Sequence, residues 1–342
     1  SGVKTHFKIP TEVTNIVQKL EEKGFEGFLI GGCVRDLFLN RPPKDWDVTT
    51  NATPEEIQNI FPDSFYENSF GTVGVKTESE DPTLKVIEIT PYRVEGEYSN
   101  NRHPDTVTFS KNIEDDLKRR DFTINAIALR EKDDESEIID LFGGIKDLSK
   151  GIIRTVGNPT DRFKEDGLRI LRAVRLATEL EFEIESETEK SIVENADLLE
   201  NISSERIRDE FSKIIASKEP MRGILTAKKA NILSHFLPEL LEGVGCEQNK
   251  AHSFDVFEHL LRSLDHAAKK DFSFEIRLTA LLHDIGKPAT RRFSKEKNEY
   301  TFYGHEVVGA RMTKKILERL KFSKETIDTV VKLVRWHMFF SD

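Results

Sequence analysis

Cysteine is nearly absent from this chain: Cys33 and Cys246 are the only two among 342 residues. Two thiols so far apart exclude a disulfide framework and a cysteine-rich zinc site, and they point to a reducing cytoplasm. Tryptophan (two) and methionine (three) are also scarce. No stretch approaches the roughly 20 apolar residues that a membrane helix needs, so no membrane association is expected. The first residues, Ser1-Gly2-Val3-Lys4, lack the apolar core of a signal peptide. Ser1-Gly2 without a preceding Met reads as a remnant rather than a native start. An excess of positive charge is missing too: 51 basic residues face 61 acidic ones, a net charge of −10. That balance argues against indiscriminate coating of nucleic acid, but a local basic stripe can still supply phosphate contacts.

What is present changes character along the chain. Residues 12–24 have helical periodicity (Val13, Ile16, Val17, Leu20) and stop at Gly24. Phe28-Leu29-Ile30 reads as a buried strand running into Gly31-Gly32, and residues 34–39 as a helical turn. Asp45-Trp46-Asp47-Val48 alternates as a strand does. Thr53 and Pro54 read as the cap and first turn of a helix, and residues 73–77 and 84–90 as strands. This mixed α+β character extends to about residue 143. From Asp161 to about residue 240 the pattern is helical. The last 90 residues are helical as well and collect histidine, with seven of the nine histidines from His235 onward. Three domains are expected: 1–150, an α+β catalytic domain; 151–245, a helical middle; and 246–342, a helical C-terminal module.

Several clusters bear chemistry. If Asp45 and Asp47 share a strand, they share a face, about 7 Å apart. Two such carboxylates can converge on Mg²⁺, which prefers carboxylate oxygens, phosphates and water, and two such ions can activate a hydroxyl and stabilise a leaving pyrophosphate. The plain alternative is a solvated loop. Gly31-Gly32 ahead of a helix carrying Arg35 suits phosphate, or is only a tight turn with a surface arginine. Arg119-Arg120-Asp121 followed by Asn125 suits a triphosphate and a ribose, or a helix start capped by Asp121. Glu88, in an apolar strand, is a third candidate carboxylate or an edge-strand surface residue.

Within Glu165-Asp166-Gly167-Leu168-Arg169-Ile170-Leu171-Arg172-Ala173-Val174-Arg175, the residues Asp166, Arg169, Arg172 and Arg175 form one polar stripe at helical spacing. Ordinary salt bridging explains such a stripe. A more specific reading also fits. Cytosine and adenine each present an exocyclic amine beside a ring-nitrogen acceptor, whereas uracil and guanine present a carbonyl beside an N–H. An Asp that accepts from the amine and an Arg that donates to the ring nitrogen would select C and A.

Taken together, Gly-Gly-Cys-Val-Arg-Asp, Asp-Trp-Asp, Arg-Arg-Asp-Phe-Thr-Ile-Asn-Ala, Glu-Asp-Gly-Leu-Arg and the later Ser-Ser-Glu-Arg-Ile-Arg-Asp-Glu-Phe (residues 203–211) resemble the class II tRNA nucleotidyltransferases, which comprise the CCA-adding enzymes and poly(A) polymerases. The motifs occur in family order over roughly residues 24 to 215. The resemblance implies a polymerase-β-like head, then an all-helical neck and body. It implies template-independent addition of C and A to the tRNA 3′ end from CTP and ATP, with Mg²⁺. By position, Asp45 and Asp47 match the metal carboxylates, Gly32 and Arg35 phosphate contacts, Arg120 a triphosphate contact and Asp121 a ribose contact. Asp166 and Arg169 match the base-selecting pair, Arg172 and Arg175 further nucleotide-site arginines, and Glu205 and Arg206 a motif that supports the neck. Residues 93–112, with Tyr98, Arg102 and Asp105, look like the family's flexible loop, which favours CCA or A addition over CC addition. An A-adding enzyme or poly(A) polymerase shares these motifs.

The run Leu281-Leu282-His283-Asp284-Ile285-Gly286-Lys287-Pro288 looks like the HD phosphohydrolases. His259, His305 and His337 match further ligands of two-metal members. The resemblance implies a second divalent metal, with Mn²⁺, Ni²⁺, Fe²⁺ or Zn²⁺ suiting a His/Asp set better than Mg²⁺. It also makes a metal-dependent phosphohydrolase with a nucleotide-binding head the reading from another class. Related chains continue past residue 340 with further helices, so truncation before the family's tail is expected, with Asp342 a candidate last ligand.

Overall fold

The computed structural model describes residues 2–3, 7–68, 70–95, 107–249 and 254–337. The expected flexible loop, with Tyr98, Arg102 and Asp105, lies largely outside the described residues, as does Asp342. The chain forms two compact units, Ser1–Glu165 and Asp166–Asp342.

The first unit is built on a sheet of eight strands: β1 (Gly2–Val3), β2 (Gly27–Leu29), β3 (Asp47–Thr50), β4 (Ser64–Tyr66), β5 (Val73–Lys76), β6 (Val86–Pro91), β9 (Ile127–Lys132) and β10 (Glu135–Asp140). Their spatial order is β1-β10-β9-β2-β3-β6-β5-β4. β7 (Arg93–Glu95) and β8 (Val107–Phe109) form a separate ribbon. Every neighbouring pair in the large sheet is antiparallel except β3 and β6, which run parallel with Asp47 opposite Glu88. Among the described residues, six helices accompany the sheet: α1 (Thr11–Glu22), α2 (Gly32–Phe38), α3 (Pro54–Ile60), α4 (Ile113–Lys118), α5 (Gly144–Lys150) and α6 (Pro159–Glu165). α1 buries Val13, Ile16, Val17 and Leu20, the stripe its periodicity marks. α3 starts as read: Thr53 accepts from the Glu56 N–H at 3.2 Å while Glu56 accepts from the Thr53 N–H at 3.0 Å. One face of the sheet packs Phe28, Ile30, Tyr92 and Ala128 against Ile113 and Leu117 of α4. That packing holds α4, and the arginines at its end, over the centre of the sheet.

The second unit is helical: α7 (Leu168–Leu180), α8 (Ser186–Glu194), α9 (Ser204–Ala216), α10 (Pro220–Lys229), α11 (Pro238–Leu241), α12 (Val256–Lys269), α13 (Phe274–Leu282), α14 (Lys287–Thr290), α15 (His305–Arg319) and α16 (Lys324–Arg335). A small hairpin joins Arg292–Ser294 to Glu299–Thr301. Ser203, Asp255, Ser273 and Ser323 each cap the helix that follows by accepting a backbone N–H. α7 packs on α9 and α10, and α13 packs on α12 and α16. Among the described residues, no helix is long and apolar enough to cross a membrane.

Candidate active site and metal centre

Gly31 sits between β2 and α2 with φ +75° and ψ −140°, a conformation essentially reserved for glycine. A Cβ there would lie 3.5 Å from Arg120 Nη1, an ordinary contact, so it is the backbone conformation that calls for glycine, with Arg120 alongside the turn. Arg35, one turn into α2, donates to Asn125 at 3.0 Å and to Asp36 at 3.2 Å. The thiol of Cys33 is buried, points at the Ile30 carbonyl at 3.3 Å and is pushed up to about 12, chiefly by burial, so it is no nucleophile.

The strand carrying the aspartates starts later than its alternation suggests. β3 begins at Asp47, and Asp45 occupies an exposed bend behind Arg41-Pro42-Pro43. Asp45 thus stands two residues ahead of Asp47, at the entry to the strand rather than within it. Asp47 pairs in register with Glu88, the Glu88 N–H donates to the Trp46 carbonyl at 3.3 Å, and the Ile30 N–H donates to the Asp47 carbonyl at 3.1 Å. Burial pushes Asp47 up, Arg120 opposes it, and Asp45 is still close enough for its charge to add to the rise. Glu88 is pushed up to about 8, first by burial and then by Asp47 and Glu67. Asp47, Glu88 and Glu67 thus form a like-charge cluster. Glu67 arrives from the turn after β4, its Oε1 lying 2.9 Å from where a Cβ on Gly74 would be.

Arg120 is held from below. Asp116, fully buried in α4, accepts from Arg119 Nε at 3.0 Å and Arg120 Nη2 at 3.2 Å. Burial alone would raise Asp116, but the two guanidinium groups outweigh it and hold the carboxyl below the usual range. Arg162 of α6 braces the same corner by donating to the carbonyls of Arg119 and Arg120 at 2.5 and 2.8 Å. Asp121 is buried and accepts from the Phe122 N–H at 2.7 Å, just ahead of the single turn Thr123–Asn125. Among these residues, Asp116, Arg162 and Glu67 were not singled out as binding or supporting groups, whereas Asn125 was, and it meets Arg35. Asp116 stands three and four residues before Arg119 and Arg120, a charge spacing that marks it in the sequence. The others come from distant segments.

In the second unit, Asp166 lies just before α7 rather than on it, because Gly167 makes the turn into the helix against the Leu198 backbone. The polar stripe therefore begins off the helix. Asp166 is 6% exposed and accepts both prongs of the Arg206 guanidinium, at 2.8 and 3.2 Å, plus the Leu168 N–H at 3.1 Å. Arg169 is buried and Arg172 half-buried. Arg175 is committed to ion pairs with Glu210 at 2.8 Å and Glu179 at 2.9 Å, the salt-bridging role that the stripe left open. Glu205 is exposed.

The histidines of the C-terminal part converge. α12 supplies His259, the end of α13 supplies His283 and Asp284, α15 begins with His305, and His337 follows α16. Asp284 lies at the centre. Its Oδ2 is 3.0 Å from His259 Nε2 and 3.3 Å from His283 Nε2; its Oδ1 is 3.3 Å from His305 Nε2 and 3.2 Å from His337 Nε2. The other ring nitrogen of three of these histidines faces a backbone carbonyl three residues back: His283 to Ala280 at 2.7 Å, His305 to Phe302 at 3.0 Å, and His337 to Val334. That arrangement turns Nε2 toward Asp284, as the atom that could ligate a metal. Two overlapping groups have metal-binding geometry, His259-His283-Asp284 and Asp284-His305-His337. Burial alone would raise Asp284, but His283, His259 and His305 hold it well below the usual carboxylate range. Lys287 adds its ammonium 3.3 Å from Oδ2.

Comparisons with known proteins agree along the chain. The model described as "Poly A polymerase head domain" matches residues 27–154, "Probable RNA and SrmB- binding site of polymerase A" matches 181–243, and "HD domain" matches 251–342. The CCA-adding enzyme of Lactobacillus delbrueckii subsp. bulgaricus is 46% identical over 210 residues, covering 61% of this chain and 51% of that protein. The CCA-adding enzyme of Limosilactobacillus fermentum is 41% identical over 234 residues, covering 67% and 55%. The chain thus spans about half the length of the curated relatives it matches. Among solved structures, the Bacillus stearothermophilus CCA-adding enzyme in complex with CTP has a TM-score of 0.66 and 30% identity, covering 94% of this chain and 68% of that one. A Thermotoga maritima CCA-adding enzyme complexed with tRNA shares the fold, at TM-score 0.65 and 22% identity, covering 95% and 70%. Enzymes of this class depend on divalent metal. The order of motifs, the polymerase-type head and the helical remainder agree: the chain belongs to the class II tRNA nucleotidyltransferases, the family of the CCA-adding enzymes and poly(A) polymerases, and carries an HD domain in its C-terminal part.

Proposed function

We propose that this chain adds C and A to the 3′ end of tRNA, taking CTP and ATP without a nucleic-acid template. One observation carries the reading: Asp47 and Glu88 face each other on adjacent parallel strands, with Arg120 and the Gly31 turn beside them. The oxygen-only donor set and its mutual repulsion fit a hard divalent cation, and Mg²⁺ is the ion proposed, held by Asp45 and Asp47 with Glu88 in reserve. When bound, such an ion supplies the positive charge that a 3′-hydroxyl and a departing pyrophosphate need. Gly32, Arg35 and Arg120 take the triphosphate, with Asn125 and Asp116 aiming the two arginines. Asp121 takes the ribose. Asp166 accepts from the exocyclic amine of C or A, Arg169 donates to the ring nitrogen, and Arg172 extends the nucleotide site. Arg175 serves mainly to hold α7 to α9.

In this reading residues 1–150 are the catalytic head, 151–245 the neck and body that choose the base, and 246–342 the HD domain, and the protein works in the cytoplasm. The test is tRNA lacking CCA, incubated with single labelled nucleotides. CMP incorporation is expected, and its absence on every tRNA end refutes CCA addition. Long A tails on unrelated RNA, with no use of CTP, would instead assign an A-adding enzyme or poly(A) polymerase.

The cluster around Asp284 favours a second activity in the same chain, metal-dependent phosphohydrolysis. Imidazole and carboxylate donors suit Mn²⁺, Ni²⁺, Fe²⁺ or Zn²⁺. Phosphatase and cyclic-phosphate assays of His283→Ala against wild type test it, and activity that survives the change refutes it.

A further inference from the structure

We infer that Arg206 is a positioning residue that sets which base the chain accepts, by leaving Asp166 a single open acceptor direction. The inference rests on the reading of Asp166 as the base-selecting carboxylate. An ionised carboxylate only accepts and offers about four lone-pair directions. At Asp166, Arg206 Nη2 fills one on Oδ2 at 2.8 Å, Arg206 Nη1 fills one on Oδ1 at 3.2 Å, and the Leu168 N–H fills the second on Oδ1 at 3.1 Å. What is left lies on Oδ2. A base edge with an amine satisfies it. A base edge with a carbonyl sets oxygen against oxygen in a pocket where Asp166 is 6% exposed, and an unpaired buried group is what makes such sites discriminate.

The direction of that last lone pair depends on how firmly the carboxylate is held, and α9 holds it through its own architecture. Ser203 caps α9 by accepting the Arg206 N–H at 3.3 Å. One turn further, Glu210 on the same face grips Arg175 of α7 at 2.8 Å. α9 thus offers a cation to the acid before α7 and an acid to the arginine within it. A shift of α7 by one turn along α9 would unpair both buried contacts, so the two pairs fix its axial position. The planar fork of Arg206 is what fixes the carboxylate plane. A lysine supplies the charge as a point and leaves the plane free to rotate.

The experiment measures kcat/KM for CMP and for UMP incorporation on tRNA ending before the CCA, using the full chain. The variants are Arg206→Lys, Arg206→Gln, Asp166→Ala and the double variant Asp166→Ala with Arg206→Lys, each checked by thermal melting. Arg206→Lys is expected to lower the CTP-over-UTP preference about tenfold or more, the scale of one misdirected hydrogen bond to a charged group. The double variant is expected to prefer CTP no less than Asp166→Ala does. A merely structural role for Arg206 lowers both incorporations together and leaves their ratio intact, which overturns the inference. If Asp166→Ala loses the preference while Arg206→Lys keeps it, the inference fails and the base-reading role of Asp166 stands. If Asp166→Ala keeps the preference, the base-reading role itself fails. Should Arg206→Lys melt below the assay temperature, Arg206→Gln, which keeps a single NH₂ group without the fork, gives the same readout.

Discussion

Replacing Asp116 by Asn tests whether Arg119 and Arg120, the latter a proposed triphosphate contact, are held as the fold suggests. Asp116 is fully buried and pairs with Arg119 and Arg120, whose side chains are only 10% and 17% exposed. Removing one partner from a buried charge pair costs about 3–5 kcal/mol, because the other charge stays buried without compensation. Asn keeps the shape and one acceptor, which places the expected loss near the lower end, about 3 kcal/mol. For a folding unit of this size that is about 6–12 °C in Tm. The pH profile adds a second readout. The folded carboxyl lies below its unfolded value of 3.8, so its stabilisation is fully present above 3.8 and is lost as the pH falls through the lower folded value. Melts from about pH 7 toward about pH 3 should therefore show the wild-type advantage shrinking with acid. KM for CTP should rise as well, since Arg120 loses its support. A destabilisation under about 1 kcal/mol near neutral pH, or a gap that stays constant into acid, would refute the account of a buried, charge-held Asp116.

Two further outcomes are expected. In chelator, Glu88→Gln should become progressively more stable than wild type as the pH rises from 4.5 to about 8, by about 1–3 kcal/mol in all after allowance for partial exposure. The sign follows from a raised folded pKa: the native Glu88 contributes its full stability below 4.5 and loses it on the way to about 8, whereas Gln does not titrate; parallel curves would show that burial and the neighbouring carboxylates do not raise Glu88. In the C-terminal cluster, equilibrium dialysis with Mn²⁺ followed by metal analysis should find Asp284→Ala stripped of metal, because Asp284 belongs to both ligand groups, while His337→Ala keeps the ion at His259-His283-Asp284. Equal loss in the two variants would mean that the groups do not bind separately, and a saturating ion should raise wild-type stability by about 2.7 kcal/mol at a hundredfold excess over Kd.

Periodicity and turn chemistry made much of the fold legible. The stripe of α1, the cap and proline of α3 and the alternation around β5 and β6 are local signals, and local physics decides them. The start of β3 was not legible. Asp45-Trp46-Asp47-Val48 alternates correctly, but a strand exists only where a neighbour pairs with it, and the hydrogen bonds to β6 reach back to Trp46. The stripe at 166–175 misled in a related way. Its spacing is helical from the first residue, yet Gly167 turns the chain against Leu198 and leaves Asp166 outside the helix. Glu67 and Arg162 escaped because each joins its cluster through tertiary folding alone.

Three buried carboxylates show where sequence spacing stops being informative. Asp116 meets its arginines three and four residues on, within hailing distance of one helical turn. Asp166 meets Arg206 across a separation of 40 residues, and Asp284 meets histidines brought in by α12, α15 and the end of α16. Burying these acids is costly, and an apolar replacement with good packing would often be as stable. What the charges secure is direction: the fork of Arg120, the open lone pair of Asp166, the inward Nε2 atoms around Asp284. Sites that must hold an anion, a base edge or a metal need side chains whose rotamers are locked by further polar contacts. The motifs of this chain therefore name the residues that would touch substrate, while the residues that aim them are set by the fold.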